Sequence, residues 1–358
     1  MLRRDFLRSG LVAGAFGLCF SNKASAATDG FYVPAEHAPH DFTLMQWPAS
    51  RFVYTDANEL AEVQATIARI ASTISEFEPV VLLAHADLHS EIRPQLPSAV
   101  TLWDIPTEDL WARDSGPLFA RDAQGNLAIR HIRFNGWGSK QVHQNDSQIA
   151  ERVANRLDVP LLQSTLTGEP GGVEQDGTGT LIAHESSWLN DNRNPSMTLE
   201  QISDALLEAY GAKRILWGPG VYGLDITDFH IDSLARFSRP GVVLMTLSEM
   251  ETGEDPFHDA AAEMFDILND DKDLQIEVLP EPETPRLREL DAVTAYANFY
   301  VCNGAVIAQQ FGDPETDSIA KDALQRHFPE RDVIMLNADP LARIGGGVHC
   351  ATREVPAV

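Results

Sequence analysis

The 358-residue chain carries 53 Asp and Glu against 27 Lys and Arg, a formal net charge of −26, with 44% hydrophobic residues. Such a field makes nucleic acid and anionic membrane surfaces poor partners and draws small cations, although acidity also serves solubility alone. The length suffices for one large core or two modest ones.

Residues 1–27 read as an export signal: Arg3 and Arg4, an apolar run from Leu11 to Phe20, then Ala24, Ser25 and Ala26. The run is too short to span a bilayer as a helix. The RRDFL string resembles the twin-arginine export motif, with Leu2 where that motif prefers Ser or Thr, and implies a chain exported already folded to the periplasm or beyond. Cys19 follows Leu18, too large a residue for a lipoprotein site. Removing the leader takes four basic residues and one Asp, which moves the net charge to −29. Residues 28–358 are expected to form one catalytic domain with no membrane insertion; a homo-oligomer is left open.

Downstream, periodicity predicts five amphipathic helices, each followed by a short apolar strand. The first runs over 58–77, with Val63, Ile67, Ile70, Ile74 and Phe77 on one face, and leads to a strand at 80–84. Helices around 149–157, 199–210, 257–268 and 319–328 lead to strands at 159–162, 215–217, 276–279 and 333–336. Most units continue through a polar, Gly-bearing segment into a hairpin: 118–121 with 127–132, 233–237 with 242–246, and 299–302 with 305–309 around Asn303-Gly304. The second unit is less regular. The fifth ends shortly after Cys350 and lacks its second hairpin strand, which an N-terminal strand near 42–47 would supply. This is an internal repeat with a longer period than most solenoids, and it predicts an α/β ring with pseudo-fivefold symmetry.

The polar segment between strand and hairpin holds the chemically loaded residues each time: Asp114 in WARDSGP, Glu169 and Glu174 in EPGGVEQDGTGT, His230 and Asp232 in DFHID, Asn298 in YANF, and Cys350 in GGGVHC. Five equivalent modules around an axis would bring these positions together. Cys350 and His230 suit covalent catalysis, the imidazole serving as acid and base. Asp114 and Asp232 beside a thiol oppose thiolate formation. A bound guanidinium removes that conflict: planar, cationic and matched to two carboxylates, it favours the thiolate and presents its carbon for attack. Period-2 alternation in DFHID would put His230 and Asp232 on one face.

Blander readings accompany each residue. Asp114 suits a turn cap or a partner for Arg113, Glu174 a surface turn, Asn298 a backbone bridge, and His230 a core histidine or, with Asp228 and Asp232, a metal ligand. Trp111, Trp137 and Trp188 would box an aliphatic or cationic tail or serve as core. Cys302 and Cys350 are the two cysteines beyond the leader. An oxidising compartment invites a bridge between them, whereas the apolar hairpin around Cys302 suits a lone core cysteine. An exported, non-catalytic receptor for cationic guanidines or polyamines would need the carboxylates without the thiol. A thiol amidase would need the thiol without the aspartates.

Taken together, WARDSGP, EPGGVEQDGTGT, SSWLNDNRNP, TDFHIDSLARFSRPG, YANFYVCNGAVIAQQFGD and GGGVHCATREVP resemble the agmatine deiminase family, which includes bacterial peptidylarginine deiminases. The resemblance spans Glu36 to the C-terminus. It implies the five-bladed α/β-propeller of the guanidino-group-modifying superfamily (the pentein fold), hydrolysis of a guanidine to a urea with release of ammonia, and neither metal nor organic cofactor. It implies Cys350 as nucleophile, His230 as general acid and base, Asp114 and Asp232 as guanidinium ligands, Glu169 as the family glutamate, and Asn298, Trp111 or Glu174 as further substrate contacts. Pro170 stands where the family has glycine, which leaves Glu169 and Glu174 as alternatives. The implied substrate is agmatine, giving N-carbamoylputrescine for putrescine biosynthesis, with peptidyl-arginine or free arginine as the alternative.

Overall fold

The computed structural model describes residues 30–248, 253, 255–289 and 292–358; the leader lies outside them. Sixteen strands form five small sheets among the described residues. One sheet holds β1 (His40–Gln46), β2 (Val80–Ala84) and β3 (Val100–Asp104), together with the last strand, β16 (Thr352–Pro356). The next two are β4 (Leu118–Arg121), β5 (Leu127–Arg133) and β6 (Leu161–Thr167), then β7 (Val173–Gln175), β8 (Thr180–His184) and β9 (Arg214–Gly218). The last two are β10 (Ala235–Arg239), β11 (Val242–Thr246) and β12 (Gln275–Leu279), then β13 (Tyr300–Cys302), β14 (Ala305–Gln309) and β15 (Asp332–Leu336).

Four of these sheets pair an antiparallel hairpin with a parallel third strand reached through a helix, and the first builds the same pattern from β16, β1 and β2. The connecting helices are α1 (Ala57–Ile74), α2 (Ile149–Leu157), α3 (Leu199–Tyr210), α4 (Pro256–Asp270) and α5 (Pro314–His327). Their starts are written in the sequence. The Asp56 carboxylate accepts from the Asn58 and Glu59 N–H groups, Thr198 and Gln201 form a capping box, and Asp255-Pro256 and Asp313-Pro314 combine a carboxylate cap with proline in the first turn. Each helix lays its apolar face on a blade; under α4, Ala261, Met264 and Leu268 pack with Ile182, Ile231 and Val243.

The ring closes as its repeat requires. β1 pairs antiparallel with β16, Phe42 opposite Val355 and Leu44 opposite Arg353, and parallel with β2, so the chain's first and last strands share one sheet. The fold is a five-bladed α/β-propeller. Three details differ from the sequence expectations. The first helix stops at Ile74, where Ser75 turns the chain, rather than at Phe77. β3 is an added strand with no counterpart in the other blades. β6 starts at Leu161 because Asp158 takes a left-handed turn (φ 55) at the helix end. The irregular second hairpin turns on Asp176, whose Oδ1 accepts from the N–H groups of Thr178, Gly179 and Thr180.

An N-terminal strap precedes β1. Tyr32 exchanges backbone hydrogen bonds with Arg121, the Val33 N–H donates to Tyr210, Gln175 donates to the Pro34 carbonyl, and Arg331 donates to that of His37. The strap thus crosses from the second and third blades to the fifth and delivers Glu36 to the axis.

Leu44 is fully buried on β1 between Val81 and Val355, whereas Phe52 is 86% exposed. Leu44→Ala is expected to cost about 2–5 kcal/mol of stability in urea denaturation, and Phe52→Ala no more than about 0.5 kcal/mol.

Candidate active site

The segments that join strand to hairpin meet at the axis. Cys350 sits at the end of the turn leading into β16, its carbonyl accepting from the Arg113 N–H, so the turn is tied to WARDSGP. Glycines are required there by close approach: a Cβ on Gly346 would lie 2.5 Å from Trp111 Cζ3, and one on Gly347 would collide with Gln309 and Asn298. Cys302 and Cys350 are both free and buried, so the bridged alternative is rejected.

Around Cys350 Sγ, Asn298 Nδ2 lies at 3.1 Å and Asp232 Oδ2 at 3.4 Å. His230 is held 3.2 Å from Glu169 Oε2 through Nε2 and 3.5 Å from Asp114 Oδ1 through Nδ1. Asp114 is fixed on its other oxygen by the indole N–H of Trp137 at 2.9 Å. Asp114 Oδ1 and Asp232 Oδ1 are buried and accept no hydrogen bond. The structure therefore gathers Cys350, His230, Glu169, Asp114, Asp232 and Asn298 into one pocket, with Trp111 against the glycines beside the sulfur.

Their electrostatics are mutually dependent. Burial, followed by the charges of Asp232 and Asp114, pushes the Cys350 thiol well above its ordinary value; the Gly347 backbone and Asn298 oppose this only in part. Burial also raises Asp114, to about 6, with Asp232 and Glu169 adding to the shift and His230 and Trp137 opposing it. In Asp232 burial is overcome by the hydrogen bond and charge of His349, then by His230 and Arg236, so its carboxyl is held down at about 2. For His230, burial is outweighed by Asp114, Glu169 and Asp232, which raise it to about 9. The site thus holds a neutral thiol and an imidazolium.

Several expectations are corrected. Glu174 lies on β7 and is not among the groups around the sulfur; Arg236 Nε holds one of its oxygens at 2.8 Å and the Phe237 N–H holds the other at 2.8 Å. Pro170 opens a single 3-10 turn over Pro170–Gly172, and that path leaves Glu169, not Glu174, against His230. The DFHID segment is not a strand. Ile231–Ser233 form a 3-10 turn, preceded by left-handed Asp228 (φ 59) and Phe229 (φ 67), and this turn, not alternation, turns His230 and Asp232 toward the sulfur. Asp228 is taken up by Lys140 and Arg193 on Oδ2 and by the Gly223 N–H on Oδ1. Trp188 is core, its indole donating to the Gly172 carbonyl, and Trp137 serves Asp114 rather than a tail.

Sequence reasoning missed Arg193, His349 and Glu36. Arg193 lies inside SSWLNDNRNP. Its Nε reaches both oxygens of Glu169 at 3.0 and 2.9 Å while its guanidinium bridges on to Asp228 at 2.7 Å. His349 was hidden by its neighbour Cys350. Glu36 precedes the repeats altogether.

A propeller whose axis holds a thiol, an imidazole and two under-coordinated carboxylates is a covalent-catalysis scaffold for a cationic, planar electrophile. A profile for Porphyromonas-type peptidyl-arginine deiminases matches residues 32–356, and the chain belongs to that family. A Streptomyces coelicolor protein named "Putative agmatine deiminase" is 34% identical over 91% of this chain and 99% of its own, and the agmatine deiminase of Medicago truncatula is 31% identical over 92% and 97%. The solved structure of the Enterococcus faecalis agmatine deiminase superposes with a TM-score of 0.84 at 25% identity, over 92% of this chain and 96% of its own. The chain is a hydrolase of this family, acting on C–N bonds of amidines.

Arg193→Met would leave the 1%-exposed Glu169 with His230 as its remaining charged partner. The expected cost is about 3–5 kcal/mol, read as a lowered urea midpoint at unchanged slope.

Proposed function

We propose that the protein deiminates agmatine to N-carbamoylputrescine and ammonia through a covalent intermediate on Cys350. The observation that carries this reading is the pair of buried, acceptor-only oxygens, Asp114 Oδ1 and Asp232 Oδ1, beside a buried thiol. A guanidinium supplies the donors both oxygens lack, and its charge relieves the repulsion that keeps the thiol protonated.

As the cation docks, the thiol releases its proton to solvent, and Cys350 Sγ attacks the guanidinium carbon, forming a C–S bond. His230, protonated beforehand, gives its proton to a departing amino group. The C–N bond breaks, ammonia leaves, and an amidino-thioether remains on sulfur. Neutral His230 then takes a proton from water as its oxygen bonds to the same carbon. Collapse breaks the C–S bond and expels the thiolate, which takes the hydroxyl proton and leaves the urea; ammonia picks up the proton released at the start, so the net change is guanidinium plus water to urea plus ammonium. Glu169, locked by Arg193, holds the His230 ring, and Asn298 donates to the sulfur. Asp114 and Asp232 align the carbon, and Trp111 shields it.

Agmatine is favoured over arginine by what surrounds the pocket as well as by the relatives' names. Arg113, Arg193 and Arg236 are already bound to carboxylates, Glu36 and Glu354, Glu169 and Asp228, and Glu36 and Glu174 respectively, so none is offered to an α-carboxylate. Export follows from the leader, and the reading places the enzyme in the periplasm or outside the cell. Replacing Arg3 and Arg4 by Lys is expected to leave the uncleaved precursor in the cytoplasm, as read by fractionation and immunoblotting; unchanged export would refute the twin-arginine route.

Purified protein is expected to release ammonia and ureido product from agmatine faster than from arginine or a blocked arginine peptide, and Cys350→Ala to release none. Silence on all three compounds would sink the deiminase reading. For kcat/KM the pH profile is expected to be a bell, rising through about 6 as Asp114 ionises and can bind a cation, and falling through about 9 as His230 loses its proton. The acid limb of kcat should lie lower, because bound guanidinium favours ionised Asp114.

A further inference from the structure

The thiol pocket has a second layer that the reaction above does not use. His349, adjacent to the nucleophile in sequence, is 2% exposed. Its Nδ1 lies 2.8 Å from Asp232 Oδ2, and its Nε2 lies 2.9 Å from Glu36 Oε2. A neutral imidazole carries one N–H, so it can donate to one of these oxygens while its lone pair faces the other at hydrogen-bond distance. Two carboxylate acceptors require two ring protons, or a proton on one of the acids.

Neither acid has room for it. Glu36 Oε1 accepts from the Val301 N–H at 2.9 Å and from Arg236 at 2.9 Å, while Oε2 faces Arg113 at 2.9 Å as well as His349. Asp232 must keep Oδ1 free of hydrogen to receive a donor from substrate. The charged groups facing the ring from every side are Asp232, Glu36, Arg113 and Arg236. Burial, then Arg113 and Arg236, hold the ring below the ordinary imidazole value on balance, while Glu36 and the Asp232 hydrogen bond draw the proton back; it is the two-acceptor geometry that asks for the second ring proton. Each arginine is neutralised by a further carboxylate, Glu354 for Arg113 and Glu174 for Arg236, which blunts its effect on the ring.

We propose that His349 is a positioning residue, held as an imidazolium between Asp232 and Glu36, which keeps Asp232 ionised and aimed at the guanidinium, with Glu36 on the N-terminal strap as its anchor. The segment that follows the export signal thereby completes the site from behind. This rests on Asp232 being a guanidinium ligand, but the ring's protonation can be read without any substrate.

The test is ring-nitrogen NMR on the full mature chain labelled with 15N-histidine, the His349 signals being assigned by their loss in His349→Asn. Wild type is expected to show both His349 nitrogens protonated from pH 6 to 9, and Glu36→Gln to show a single protonated nitrogen. In the same variant KM for agmatine should rise at least about tenfold while kcat changes less than about threefold, the signature of weakened binding rather than altered chemistry. His349→Asn, whose amide can still reach Asp232 but not Glu36, should reproduce that split and serves if Glu36→Gln fails to fold. A neutral wild-type ring overturns the proposal. So does an unchanged KM in both variants. Failure to turn over any guanidine would instead strike at the assigned reaction and leave the NMR result standing as the test of the charged ring.

Discussion

Asp114 and Asp232 are buried beside Cys350, each keeping an oxygen without a donor. Burial, and then these like charges, hold the thiol protonated, and on the reading proposed above a cation arriving between them reverses that balance. The remaining construction fixes those two carboxylates, holds Asp232 ionised, and leaves one oxygen of each short of donors. Trp137 occupies the other oxygen of Asp114, and His349 that of Asp232. The pocket is therefore held in a state that its ligand relieves, and binding and activation of the nucleophile become one event.

Sustaining that state takes layers of compensating charge. Glu169 faces His230, Arg193 faces Glu169, Asp228 faces Arg193, and Lys140 reaches Asp228 at 2.8 Å from the half-exposed rim. A second series runs along the axis from Asp232 through His349 and Glu36 to Arg113 and Arg236, ending on Glu354 and Glu174. Buried charges are tolerated only in such alternation, since each unpaired ion would carry a desolvation cost of several kcal/mol. Glu174 shows how a residue that reads as catalytic belongs instead to this supporting series.

The propeller is what allows both series to exist. Equivalent turns from different blades reach the axis, so residues hundreds of positions apart become neighbours without long loops. Glycines at Gly346 and Gly347 let two of those turns touch. The left-handed pair Asp228 and Phe229 is held by hydrogen bonds from Gly223 and from the Phe229 N–H to Asp225, which fixes the turn presenting His230.

Much of this was legible beforehand. Helical periodicity, Asp and Thr caps and Asn303-Gly304 gave the repeat, because these are local preferences that each segment expresses alone. Ring closure by β1 followed from a missing strand, a counting argument that the symmetry made sound. Cys350, His230, Asp114 and Asp232 stood out because polar residues recurred at one place in each module. Beyond that, the sequence was silent or misleading. It could not choose between Glu169 and Glu174, it offered strand alternation where a 3-10 turn operates, and it gave no weight to Arg193, His349 or Glu36. Those choices depend on which charge lies opposite which once the blades have closed, and Coulomb interactions between segments leave no periodic mark in the chain that carries them.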